Sequence, residues 1–210
     1  MNEHMFSVDW FDAYKPVWGP LFDQFNPTKL LEIGSFEGRS TCFMIDYLSK
    51  NYELELHCID TWEGAIEHQI GGGDESNMTD VERRFLHNVN LSIDNAPNSI
   101  ELKIHKGFSN IQLSKLLANG MNGYFDFIYI DGSHQAPDVL SDAVLGFELL
   151  KVGGLMFFDD YLWKELLPGG VDVLRCPKPA IDAFTNIFAR KIEIIRAPTL
   201  CQLYLLKISN

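Results

Sequence analysis

The chain is 210 residues long, 46% apolar, and carries 29 Asp plus Glu against 17 Lys plus Arg, a formal net charge of −12. That length and apolar content suit one core-bearing domain, while the charge would repel a phosphate backbone or an anionic bilayer, with no basic stripe to reverse it locally. Nucleic acid and membrane are thereby excluded as expected partners, and an opening MNEHMFSVDW without a basic head and apolar run points to the cytoplasm.

The first 27 residues read as an aromatic-rich extension, with Trp10, Tyr14, Trp18 and Phe22 at four-residue spacing. Pro16 and Pro20 argue against one uninterrupted helix there. The stripe is expected to pack on the core, with a substrate lid or a homodimer surface as the alternatives. From residue 28 to 210, short apolar runs alternate with segments of helical period, which is the signature of parallel β-α-β units. Strands are expected at Lys29 to Ile33, Leu54 to Asp60, Ile100 to His105, Phe125 to Asp131 and Leu155 to Asp159. Helices are expected at Arg39 to Leu48, Thr79 to Ile93, Ser109 to Leu117, Asp138 to Leu150 and Ala180 to Ala189. Thr79 and Glu82 have capping-box spacing, Asp138 is a candidate cap, and Asp142 and Glu148 are assigned to a solvated face. Two last strands, Lys191 to Arg196 and Cys201 to Lys207, are joined by a connection too short for a crossover helix, so they form an antiparallel hairpin. The fold class is therefore α/β: a single doubly wound, Rossmann-like, three-layer domain on a seven-stranded, mostly parallel sheet. Gly71-Gly72-Gly73 marks a flexible loop, and Cys42, Cys58, Cys176 and Cys201, lacking any CxxC pair, read as buried free thiols.

The run Leu30-Leu31-Glu32-Ile33-Gly34-Ser35-Phe36-Glu37-Gly38 ends a strand on an acid and enters a helix through a GxxxG turn. A helix N-terminus offers free amides, and glycine lets a ligand lie against the backbone. Dinucleotide folds place GxGxxG here, whereas a carboxylate two residues before the first glycine suits a cationic ligand better than a pyrophosphate. The second strand ends in Asp60-Thr61-Trp62, where a carboxylate can hold a ribose diol, and the third ends in Lys106-Gly107-Phe108-Ser109, where a loop can meet an adenine edge.

On these residues the chain resembles the class I S-adenosylmethionine-dependent methyltransferases over about Thr28 to Lys207. The resemblance implies strand order 3-2-1-4-5-7-6 with strand seven reversed. It also implies that Glu32, Gly34, Ser35 and Gly38 line the methionine side, that Asp60 holds the ribose hydroxyls, that Thr61 and Trp62 flank it, and that Gly107, Phe108 and Ser109 face the adenine.

Strand four ends in Asp131-Gly132-Ser133-His134 and strand five in Asp159-Asp160. Neighbouring strands lie about 4.8 Å apart, so these carboxylates can meet over one point. Hard oxygen donors without sulfur favour Mg²⁺ or a similar divalent metal, provided the chain has turned by Asp160, since successive strand residues face opposite ways. The patch resembles the metal-dependent O-methyltransferases of the catechol and macrolide-sugar types, with Asp131, Asp159 and Asp160 as metal ligands. His in place of the catechol type's Lys brings it nearer the sugar type. The implied chemistry has Asp131 and His134 as catalytic residues, His134 taking the proton of a hydroxylated small-molecule acceptor. Two alternatives stay open: a non-catalytic protein that keeps the cofactor pocket, and a nicotinamide-dependent oxidoreductase, disfavoured by the glycine spacing and the lack of a Tyr-x-x-x-Lys pair.

Overall fold

The computed structural model describes residues 3–68, 77–198 and 201–210. The glycine triplet Gly71 to Gly73 lies outside the described residues. At the centre is a seven-stranded sheet: β1 (Lys29–Ile33), β2 (Leu54–Asp60), β3 (Ile100–Lys106), β4 (Phe125–Ile130), β5 (Leu150–Phe158), β6 (Ile192–Ile195) and β7 (Leu203–Lys207). Their order is β3-β2-β1-β4-β5-β7-β6, with β7 antiparallel to both β5 and β6 and every other pair parallel. The expected order and hairpin are thus both present. Strands β1 and β4 are buried along almost their whole length because both their faces are covered, so they are mostly apolar and show no regular alternation.

Helices α1 (Lys15–Phe25), α2 (Arg39–Leu48) and α3 (Val81–Asn95) supply residues to one core layer, where Trp18, Met44 and Phe85 meet Leu30, Cys58, Tyr129 and Phe157 of the sheet. On the opposite face α4 (Ser109–Ala118), α5 (Ala136–Leu149) and α6 (Lys178–Ile187) bury Leu113, Phe147 and Phe184 against Leu31, Ile128 and Met156. Among the described residues no helix is long and apolar enough to cross a membrane.

Four expectations need correction. Trp10 lies in a turn and Tyr14 ends a 3-10 turn, but from Lys15 onward the stripe is one helix: Pro16 sits in its first turn, where no amide partner is lost, and the interior Pro20 is tolerated. Burial explains the tolerance, since Trp18 packs edge-on against Phe127, Tyr129 and Phe157 with centroids 5.3, 4.7 and 5.2 Å away. The Thr79–Glu82 box does not form. Asp80, at a φ of 66°, turns the chain into α3 with no side-chain cap, the Thr79 carbonyl accepts from Arg84 and Glu82 pairs with Lys106. Asp138 lies inside the first turn of α5 rather than at its cap, and Asp142 is buried beneath the helix, 1% exposed, rather than on its wet face. Cys201 is exposed, whereas Cys42, Cys58 and Cys176 are buried free thiols.

Candidate functional site

The carboxyl ends of β1 to β5 open into a cavity of about 820 Å³. Gly34, at a φ of 84°, carries the chain off β1, and a Cβ there would sit 1.9 Å from the Asp131 carbonyl oxygen, so the tips of β1 and β4 touch only because this residue has no side chain. The turn that follows is fastened by Asp60 at the tip of β2. One of its oxygens accepts from the Ser35 and Phe36 amides, both at 2.8 Å, and the other from the Trp62 amide at 2.7 Å. Those bonds hold Phe36 and Trp62 at left-handed φ values of 47° and 55°, uncommon for bulky residues and stable only where their surroundings over-determine them.

Gly34, Ser35, Asp60, Thr61, Gly107, Phe108, Ser109, Asp131, His134, Asp159 and Asp160 all line the cavity. Glu32, Gly38 and Trp62 do not reach it and instead work behind its wall. Glu32 is wholly buried and accepts from the hydroxyls of Ser35 at 2.7 Å, Ser40 at 2.5 Å and Thr41, a cage that leaves its carboxylate turned inward. Burial pushes the Glu32 carboxyl up, against the pull of those hydroxyls. Gly38, at a φ of 79°, precedes α2 in a space a Cβ would share with Val89, 2.9 Å away. The Trp62 indole packs on Phe85 and donates to the Phe36 carbonyl at 3.0 Å, bracing the turn from below.

The acidic edge follows from register. Tyr129 pairs with Phe157 in the parallel β4–β5 ladder, so two residues on, Asp131 and Asp159 emerge side by side on the face of α1. Asp160, at a φ of 54°, has already turned off the strand, and its carboxylate meets His134 Nε2 at 2.8 Å. Asp159 accepts from the Tyr129 hydroxyl and, at 3.0 Å, from the Gln202 side-chain amide. Gln202 accepts in turn from Trp18 at 2.9 Å and Tyr204 at 2.7 Å, which joins α1 and β7 to the site. Burial, followed by the charges of the neighbouring aspartates, pushes the Asp131 and Asp159 carboxyls well above the usual range. Among the described residues His134 is the one basic side chain ion-paired to any of the three acids, and no three His, Cys, Asp or Glu side chains converge as an assembled metal cage.

Aromatic residues outside the expected cofactor and metal sets complete the walls. Trp10, Phe36 and His68 stack on one another at centroid distances of 5.4 to 6.2 Å, and Phe11 and Tyr14 add the side toward the acids. The Tyr14 phenol is pushed up by burial and by the charges of Asp159, Cys201, Asp160 and Asp131. Four-residue aromatic spacing was the available signal for this segment; it favoured a packed face and left a substrate lid as an alternative, and the face both packs on the core and continues into the cavity.

Comparison with known proteins agrees with this architecture. A protein family described as "Methyltransferase domain" matches residues 31–161, more than half the chain, and the chain belongs to that family. A probable caffeoyl-CoA O-methyltransferase 3 of Dictyostelium discoideum is 36% identical over 139 residues, 66% of this chain; the match spans less than half, 45%, of that relative's length. Among solved structures, the O-methyltransferase TomG of Streptomyces achromogenes, in complex with SAM, superposes at a TM-score of 0.63 with 17% identity, covering 97% of this chain and 82% of that one. Apo CalS11, a TDP-rhamnose 3'-O-methyltransferase, gives 0.62 with 14% identity, covering 95% and 81%. At such identities the likeness is one of fold.

Proposed function

We propose that the chain is an S-adenosylmethionine-dependent methyltransferase that passes the cofactor's methyl group to a hydroxyl of a small molecule. The observation that carries this reading is one cavity in which a nucleoside-sized shelf, formed by the Gly34–Ser35 turn, Asp60 and the Gly107–Ser109 loop, adjoins the Asp131–Asp159–Asp160 edge and His134. Asp60 would receive ribose hydroxyls, and the glycine turn would let the methionine end lie against the backbone. His134, oriented by Asp160, would take the acceptor's proton as its oxygen attacks the methyl carbon in line, the electrons of the S–C bond returning to sulfur.

A divalent cation fits the donor chemistry of the edge, since these are hard oxygens whose like charges burden one another inside the protein. Asp131, Asp159 and Asp160 would hold it, and when bound it would supply positive charge that lowers the pKa of the acceptor hydroxyl. The relative's caffeoyl-CoA and the fold neighbour's TDP-rhamnose are the first acceptors to try.

The test is a calorimetric titration with S-adenosylhomocysteine, with and without Mg²⁺, followed by a methyl-transfer screen of hydroxylated acceptors. Binding of the nucleoside and transfer to oxygen are expected, and a wild-type protein that takes up no S-adenosylhomocysteine would sink the reading. His134→Ala should lower turnover about a hundredfold while nucleoside affinity stays put; unchanged turnover removes His134 as the base. Mg²⁺ should raise the melting temperature of the wild type and not of Asp131→Asn, and full activity in excess chelator removes the metal.

A further inference from the structure

An acceptor hydroxyl that turns its proton toward His134 still has lone pairs to satisfy, and a donor on another wall of the cavity would fix its orientation beside Asp131, Asp159 and Asp160. The N-terminal segment brings one. Tyr14 ends a short 3-10 turn, Asp12–Tyr14, and lines the cavity with Phe11. Trp18, one helical turn further on, packs on Tyr129 and Phe157, each two residues before Asp131 and Asp159, so Tyr14 stands on the side of the cavity that the acids line. The Tyr14 hydroxyl makes no hydrogen bond among the described residues, while the Tyr129 hydroxyl is spent on Asp159.

The segment is fastened where it lies. Asp12 pairs with Arg39 and with Lys15, Arg39 donates to the Val8 carbonyl at 3.0 Å, the Ser7 amide and hydroxyl both donate to Glu37, and Glu37 is held by Arg84 at 2.6 Å. Residues 7 to 14 lie outside the stretch 31–161 that matches the family, and they wall the same cavity from the side of α1.

We propose that Tyr14 is an acceptor-binding residue, whose hydroxyl donates a hydrogen bond to the oxygen that receives the methyl group and holds it against the Asp131–Asp159–Asp160 edge. The inference rests on the methyltransferase reading. It assigns acceptor recognition to the N-terminal segment and cofactor recognition to the tips of β1 to β3.

Tyr14→Phe removes the hydroxyl and keeps the ring that packs 6.4 Å from Phe11. Thermal unfolding and S-adenosylhomocysteine calorimetry on wild type and variant come first, then methyl transfer to a panel of caffeoyl-CoA, TDP-rhamnose and simple catechols. The expected result is unaltered folding and nucleoside affinity with kcat/KM for the acceptor lowered about tenfold, since a hydrogen bond that positions the bound acceptor is lost. A variant within twofold of wild type overturns the proposal, as does a wild type that binds the nucleoside and methylates nothing in the panel. A wild type that fails to bind the nucleoside overturns the methyltransferase reading itself, and the two failures are therefore told apart by the first measurement.

Discussion

At the scale of single residues, the site depends on Gly34 more than on any charged group. Its missing Cβ allows the Asp131 carbonyl to close on the first turn, and its φ of 84° is one an L side chain resists. Gly34→Ala must push backbone against backbone, a cost of several kcal/mol with no flexible side chain to absorb it. Loss of S-adenosylhomocysteine binding, together with a marked fall in melting temperature, is the expected outcome; an alanine variant that binds normally would show that the two tips can part without harm. The glycine spacing and the acids at the strand ends were legible in the sequence because each is a local pattern. Glu32 was misplaced for the same reason: a strand's alternation does not say which neighbouring hydroxyls will surround a carboxylate, and Ser40 and Thr41 sit on the helix beyond the turn. Gln202 gave no signal at all, its contacts with Trp18 and Asp159 being made across long stretches of chain.

At the scale of elements, β1, β2 and α2 have the expected bounds, because Gly, Asn and acidic turn residues punctuate them clearly. The bounds of β5 were harder to read. It begins at Leu150 rather than at the expected Leu155, running through Gly153-Gly154, and the ladder shifts register between Phe125 and Phe127. The N-terminal segment packs on the core as its aromatic spacing implies, but Pro20 argues locally against a helix that burial of Trp18 and Phe22 secures globally. Its attachment to α2 is mainly the Asp12–Arg39 pair. Arg39 holds the Asp12 carboxyl down at about 2, so the pair's contribution is present above the usual carboxylate range and is lost as pH falls toward 2. Arg39→Ala should cost at most about 1 kcal/mol of global stability, since both side chains are partly solvated. Amide hydrogen exchange of residues 8 to 14 should nevertheless accelerate, and unchanged exchange there would mean that aromatic packing alone holds the wall.

At the scale of the whole molecule, the unusual feature is a set of buried acids in a chain already at −12. Asp142, trapped between α5 and the Gly132 turn, has its carboxyl pushed up to about 7 by burial, with Asp138 adding a like charge. A raised pKa means the folded form keeps its proton longer than the unfolded form. Stability is then full below about pH 4, falls as pH rises toward 7, and levels off above that. The contribution at stake is at most about 4 kcal/mol. Asp142→Asn should therefore melt higher than wild type at pH 8 and no differently at pH 4; equal melting at both values would show that Asp142 is ionised at little cost in the fold. Asp131 and Asp159 act in the same direction, while His57 and His105, held down by burial, act in the opposite one.

The link from Trp18 through Gln202 to Asp159 carries a consequence for biosynthesis. Residue 18 leaves the ribosome long before residue 202, and the stretch that would seat the nucleoside lies between them. A nascent chain could therefore acquire its shelf before Asp159 gains its amide partner from Gln202. A product clipped before Gln202 would keep the turn and strand tips of that shelf beside an acid left without its buttress.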